Sequence, residues 1–314
     1  MNDRPKIMIT GAGGFLGSNL IAMLARMVDA PYDLIPLRRA DGDLRNEEYA
    51  RYVFNHTRPD VVIHAAANCG GIGYNMEQGS ALREDNLSMG VNVLHACREF
   101  KVSKLVYIGT TCSYPEHCPT PFNEDSIFDG YPEPTNAQYG LAKRALIATC
   151  AMYRRLHDMN ITCLILANMY GPHDCFDPSR SHVIPALIRK CFEARDTQSP
   201  LVVWGTGQAT RDFLYVEDAA RAIVTAMRTK NRFGPYNIGS GSAVSIGEVA
   251  GKLASMICPD ATVVYDTDKP DGQRRRQLDI TRARDELGWK PETDMDTGLR
   301  KTVQWYIDNI DNMG

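Results

Sequence analysis

No run of apolar residues in this 314-residue chain is long enough to span a bilayer as a helix. Neither charge dominates: 35 Lys and Arg stand against 38 Asp and Glu, a formal net charge of −3. That balance offers no argument for a nucleic-acid or membrane-surface partner. The nine cysteines, at 69, 97, 112, 118, 150, 163, 175, 191 and 258, include no C-x-x-C pair. They are odd in number and several sit in apolar runs, so buried free thiols in a reducing compartment are expected rather than disulfides. Repeats and low-complexity segments are also lacking, and the first residues run straight into a strand-like segment with no room for a signal peptide. The expectation is a soluble cytoplasmic protein with no nucleic-acid or membrane partner. Its length allows one large domain or two smaller ones.

What is present begins with Lys6-Ile7-Met8-Ile9-Thr10, a short apolar run with β-branched residues. Gly11-Ala12-Gly13-Gly14-Phe15-Leu16-Gly17 follows at once, and Ser18 to Met27 has apolar residues at helical spacing. Strand, glycine turn and helix form the context in which backbone approaches a pyrophosphate and a helix N-terminus attracts it. Gly11, Gly14, Phe15, Leu16 and Gly17 are therefore candidate cofactor contacts. A second strand, Asp33 to Leu37, ends in Arg38-Arg39. An acidic residue there suits a free ribose 2′-hydroxyl and arginine a 2′-phosphate, so Arg38 favours NADP(H) over NAD; a solvated basic pair is the other reading. Asp43 and Leu44 are placed to meet adenine. A third buried strand runs from Pro59 into Ala65-Ala66-Ala67, whose small side chains admit either a cofactor or a tightly packed helix. His64 at its end reads as structural rather than as a base, and Gly70 to Gly73 as loop. A helix is expected from about Ser80 to Phe100, then a strand from Lys104 to Ile108. That strand delivers Thr110 and Cys112 to the C-terminal edge of a parallel sheet, where ligands bind in such folds.

Between Gly109 and Lys143 lie a hydroxyl, a thiol, a phenol and an amine. If Gln138 to Lys143 is helical, Tyr139 and Lys143 share one face. An ammonium beside a phenol favours the phenolate and makes it a better proton donor, and Thr110 can hold a carbonyl oxygen beside it. The same spacing also occurs in ordinary amphipathic helices, so the surroundings decide.

Gly11/Gly14/Gly17, Ala65-Ala66-Ala67, Thr110 and Tyr139-x-x-x-Lys143 together resemble the extended short-chain dehydrogenase/reductase family. The resemblance implies an α/β fold: a Rossmann-type doubly wound parallel sheet over residues 1–170, with a returning segment near 213–238. Residues 171–314 would mainly form a smaller C-terminal α/β substrate domain. It also implies that Tyr139 moves the proton, that Lys143 holds the nicotinamide ribose, and that Thr110 orients the substrate oxygen. Ile108, Asn168 and His182 would complete the cofactor contacts.

Within that family, Gly-x-x-Cys-x-Tyr-Pro at 109–115, Ser-His-Val-Ile-Pro-Ala-Leu at 181–187 and Lys-Pro-Asp-Gly at 269–272 resemble the GDP-L-fucose synthase group. The resemblance implies NADPH-dependent 3,5-epimerisation and 4-keto reduction of a GDP-4-keto-6-deoxy-D-mannose-type sugar by a homodimer. Its helix bundle would come from Ser80–Phe100 and Tyr139–His157. A C4 carbonyl acidifies the hydrogens at C3 and C5, and inversion needs a base on one face and an acid on the other. By resemblance these are Cys112 and His182, and Lys190, Trp204, Arg211 and Asp271 meet the GDP end. Arg211 and Lys190 suit a pyrophosphate by charge, and Trp204 offers a flat apolar surface. No orienting third group for a protease-like dyad and no ligand cluster for a metal is found. Departures from the pattern cluster away from the cofactor: Thr110 where Ser is usual, Ser113, Asn68-Cys69, Cys175, and the basic run Gln273-Arg274-Arg275-Arg276. They leave open a GDP-4-keto heptose or dideoxy sugar. An isomerase with a permanently held NAD and a non-enzymatic nucleotide sensor are the rival readings; Arg38 counts against the first, and the Thr110/Tyr139/Lys143 set against the second.

Overall fold

Residues 4–27 and 32–312 are described by a computed structural model of the chain. Apolar runs bounded by turn residues form the first strands and helices: β1 (Lys6–Thr10), α1 (Phe15–Arg26), β2 (Asp33–Leu37), α2 (Glu47–Thr57) and β3 (Val61–His64). Next come α3 (Ile72–Glu77), α4 (Gly79–Glu99), β4 (Lys104–Thr110), α5 (Ala137–His157), β5 (Ile161–Leu166) and β6 (Asn168–Tyr170). The chain continues through α6 (Val183–Thr197), β7 (Leu201–Trp204), β8 (Thr210–Arg211), β9 (Phe213–Tyr215), α7 (Val216–Arg228) and β10 (Tyr236–Ile238). It ends with β11 (Val244–Ser245), α8 (Ile246–Ile257), β12 (Val263–Asp266) and α9 (Met295–Asn309).

Six strands make one sheet in the order β10-β5-β4-β3-β1-β2, and every neighbouring pair is parallel. Flanking helices pack as two groups, α1 with α7, and α2 with α4 and α5. A sheet covered in this way needs continuous apolar strands rather than alternating ones; β4 and β5 meet that demand almost throughout. The expected Rossmann-type sheet is thus the observed one. The order reverses beside β1, which puts the ends of β1, β3 and β4 around a crevice.

A second apolar core joins α6, α8 and α9 through Ile188, Phe192, Leu253 and Leu299. Beside it lie three two-stranded pieces, β11 with β8, β12 with β7, and β6 with β9. The chain does not divide between the cores at one point. After the second core has begun, α7 and β10 return to the large sheet, and Leu278, Ala283, Leu287 and Trp289 also pack on the first core. Among the described residues no helix is long and apolar enough to cross a membrane.

One local expectation fails. Gly70 to Gly73 is not all loop, because α3 begins at Ile72 with Gly71 as its cap residue. Gly71 N–H is tied to the carbonyl of Arg180, 3.0 Å away, which fixes the turn from the far half of the chain.

Candidate active site

The glycine turn stands at the end of β1 because only glycine fits it. Gly11 has φ +71°, and a Cβ there would lie 2.8 Å from the backbone of Ala66. At Gly17 a Cβ would run into the carbonyl of Gly11, so α1 can start close beneath the strand. Gly14 caps α1 with no side-chain acceptor, leaving first-turn N–H groups of a twelve-residue helix facing the crevice. Arg38 lies along Gly13, with its Cγ 3.5 Å from where a Cβ would be. Bare backbone, helix donors and a guanidinium at the end of β2 fit a dinucleotide carrying a 2′-phosphate.

All the candidate residues named from sequence line one cleft of about 1150 Å³. Gly11, Gly14, Phe15, Leu16, Gly17, Arg38, Asp43 and Leu44 form one end, and Ala65, Ala66, Ala67 and Ile108 its floor. Asp43 is engaged by Arg45, which donates from Nη2 at 2.6 Å, and that hydrogen bond outweighs burial in holding the carboxyl below its ordinary value. His64 is locked beneath the floor: its Nδ1 is 2.9 Å from Thr10 Oγ1, and Thr10 Oγ1 accepts from the N–H of Ala66 at 3.1 Å. Burial, with Lys143 nearby, drives His64 down to about 3, so the ring is neutral.

Thr110, Cys112, Tyr139 and Lys143 come together in the middle. Thr110 ends β4, and its hydroxyl accepts from the N–H of Cys112 at 3.3 Å. Tyr139 and Lys143 lie one turn apart on α5, with the amine 5.9 Å from the phenol ring centre. Lys143 Nζ donates to the carbonyl of Ile108 at 3.0 Å, and burial brings the amine down to about 8. The phenol is not lowered as the sequence suggests. Burial pushes Tyr139 well above its ordinary value, and the thiols of Cys69 and Cys112 push in the same direction. The physical reason is burial first and the thiols second, while Lys143 gives its hydrogen bond to backbone. His182 lines the same cleft from the cap position of α6, where its side chain makes no capping bond. Its Nδ1 lies 4.0 Å from Oδ1 of the buried Asp174, whose other oxygen has no partner.

Lys190, Trp204, Arg211, Asp271 and Asn168 line the same cleft. Lys190 Nζ lies 5.2 Å and Lys269 Nζ 5.5 Å from the Trp204 ring centre, leaving this indole 49% exposed. Burial, then the like charge of Arg189, lowers the Lys190 amine. Arg211 is buried and fixed by the carbonyls of Thr210, Gln273 and Asp271 at 2.6–2.8 Å. Asp271 spends its carboxylate on the N–H and hydroxyl of Thr206, both at 2.8 Å, so it shapes a turn.

Two residues in this site escaped sequence reasoning as functional groups. Asp174 is the carboxylate nearest His182. Arg276 reaches Cys112 and donates from Nη1 to its Sγ at 3.5 Å. The basic run 273–276 was visible as a departure, but nothing in its spacing says which of its arginines turns inward. The bridge Thr210↔Arg275 lays this segment beside β8 and so aims Arg276 at the cleft.

The profile of the NAD dependent epimerase/dehydratase family matches residues 7–239. The chain is 36% identical over 308 residues to the probable GDP-L-fucose synthase 1 of Oryza sativa subsp. japonica, covering 97% of this chain and 93% of that protein. It superposes on the NADP-bound GDP-L-fucose synthetase of Naegleria fowleri with a TM-score of 0.91, 29% identity and coverage of 99% and 95%. A GDP-6-OMe-4-keto-L-xylo-heptose reductase from C. jejuni gives a TM-score of 0.91 at 28% identity, covering 98% of this chain and 99% of the other.

Proposed function

The chain belongs to the NAD dependent epimerase/dehydratase family, and from that premise we propose that it is an NADPH-dependent GDP-4-keto-sugar 3,5-epimerase/4-reductase, with GDP-4-keto-6-deoxy-D-mannose its substrate and GDP-L-fucose its product. The observation that carries this reading is the set of chemistries lining one cleft: a dinucleotide cradle, a proton-transfer cluster, and cationic and aromatic groups.

Gly11, Gly14, Phe15, Leu16, Gly17, Arg38, Asp43, Leu44, Ala65–Ala67, Ile108, Lys143 and Asn168 hold the cofactor. When bound there, NADPH supplies the hydride for C4. Thr110 holds the C4 oxygen, and Tyr139 gives it a proton; a phenol kept protonated by burial is in the right state to do so. Cys112 takes the protons from C3 and C5 as thiolate. His182 delivers its own proton to each carbon on the opposite face, with both groups exchanging with solvent between the two inversions, and the buried Asp174 carboxylate lies 4.0 Å from its Nδ1. Arg211 and Lys190 meet the pyrophosphate, and Trp204 packs on the nucleotide or sugar. Asp271 supports them by holding the Thr206 turn and, through its carbonyl, Arg211.

A second reading, reduction of a GDP-4-keto heptose, is favoured by the likeness to the heptose reductase. One experiment separates them: NADPH absorbance is followed with a panel of GDP-4-keto sugars, and products are identified by NMR. Stoichiometric oxidation with GDP-L-fucose formed from the 6-deoxy sugar is expected. Oxidation with a heptose alone selects the second reading, and no oxidation with any of them overturns both.

The homodimer forms through α4 and α5. On α5 the exposed Ala148, Met152 and Leu156 recur every four residues, an apolar stripe suited to pairing with its own copy. The enzyme works in the cytoplasm, a reducing setting consistent with nine free thiols.

A further inference from the structure

Arg276 is 7% exposed and held on three sides. Its Nη1 donates to Cys112 Sγ at 3.5 Å, its Nε to Gln273 Oε1 at 2.7 Å, and its Nη2 lies 3.6 Å from Glu133 Oε2. Glu133 is anchored in turn by the N–H and hydroxyl of Thr135, at 3.1 and 2.6 Å, and by Asn136 Nδ2 at 2.8 Å. Burial works against the Glu133 charge, but these hydrogen bonds and the guanidinium hold it below the usual carboxylate range. A buried cation facing a thiol lowers the free energy of the thiolate relative to the thiol.

Of the other groups around Cys112, Arg211 is also a cation. Tyr139 and Cys69 are neutral neighbours that burial keeps protonated. Arg211 is the second guanidinium of the cluster, opposed by Glu133 and Asp271; burial, then the like charge of Arg276, brings it down to about 10. Arg211 has donors fixed on three backbone carbonyls, whereas Arg276 points one at the sulfur.

We propose that Arg276 is a positioning residue that holds Cys112 as the thiolate and fixes its direction, with Glu133 setting the strength of that cation. The inference rests on the reading of Cys112 as the base at C3 and C5. Arg276 touches no reacting carbon; the proton moves from carbon to Sγ, and the guanidinium keeps its own.

Two readouts test it. The pH profile of Cys112 carbamidomethylation by iodoacetamide is followed by peptide mass spectrometry without substrate. Solvent deuterium entry at C3 and C5 of GDP-4-keto-6-deoxy-D-mannose is followed by NMR. Arg276→Gln should move both profiles to higher pH and slow alkylation at neutral pH by about tenfold or more, while Arg276→Lys restores most of the difference. Glu133→Gln, which removes the carboxylate opposing the guanidinium, should move the alkylation profile to lower pH. Wild-type profiles in Arg276→Gln overturn the proposal, as does an unchanged or alkaline profile in Glu133→Gln. If Arg276→Gln does not fold, Glu133→Gln decides by the same signs. Cys112→Ser separates the two levels: normal exchange in that variant overturns the base reading, whereas the alkylation profiles still judge the contact between Arg276 and Cys112.

Discussion

In the proposed reaction Tyr139 gives the proton for the reduction, and besides burial the groups acting on its phenol are thiols. Replacing it by phenylalanine removes one oxygen and leaves the turn of α5 unchanged. Tyr139→Phe is expected to slow single-turnover NADPH oxidation by about 10²–10⁴-fold, the usual worth of a positioned proton donor. Deuterium entry at C3 and C5 should persist, because the proposed reaction does not route the protons of Cys112 and His182 through it. Equal loss of both activities would mean that the phenol also serves the epimerisation. Residues of this kind were legible because their spacing is local: Tyr139 and Lys143 are one helical turn apart, and Thr110 and Cys112 end one strand. Asp174 and Arg276 were not. Arg276 stands 164 positions from the cysteine it touches, and only the pairing of its segment with β8 brings them together. Burial was equally invisible, which is why the acidity of the phenol was misjudged from the amine beside it.

At the scale of elements, α5 is set against the segment carrying Cys112 by a glycine. A Cβ on Gly140 would collide with the carbonyl of Cys112. Gly140→Ala must therefore push α5 away from the strand end, at a cost of about 1–3 kcal/mol, the common range for an overpacked interior. A lower Tm by thermal melting should accompany reduced activity in both half-reactions, since Tyr139 and Cys112 are drawn apart together. An unchanged Tm would show that the contact yields easily. Long elements with strong patterns were readable from sequence: Asp33–Leu37 and Ile161–Leu166 keep their expected limits. The pairs β8 with β11 and β6 with β9 were not, being two or three residues long and held by partners remote in sequence. The start of α3 was masked by a glycine-rich stretch whose turn is tied to Arg180.

For the whole molecule, the outward stripe of α5 is the feature a monomer would leave in water. Met152 is 41% and Leu156 61% exposed. A Met152→Glu, Leu156→Glu double variant is expected to sediment with the mass of one chain at concentrations where the parent sediments as two, with the cofactor cleft still able to bind NADPH. A parent that sediments as a single chain at every concentration removes the homodimer. The large parallel sheet was evident from its strand–turn–helix beginnings, whereas the route of the chain between two cores was only partly so. The segment near 213–238 was expected to return, but the packing of Leu278, Leu287 and Trp289 on the first core has no local sign. The edge strand β10 pairs with β5 only after the chain has visited the other core. This interleaving sets a rule for building chimaeras: substrate preference cannot be exchanged by a single crossover after residue 170. A donor's far half would bring its own edge strand and its own α7 into the recipient's sheet. Successful grafts need at least two junctions, one on each side of that excursion, so recombination libraries should be cut around the fold rather than along the chain.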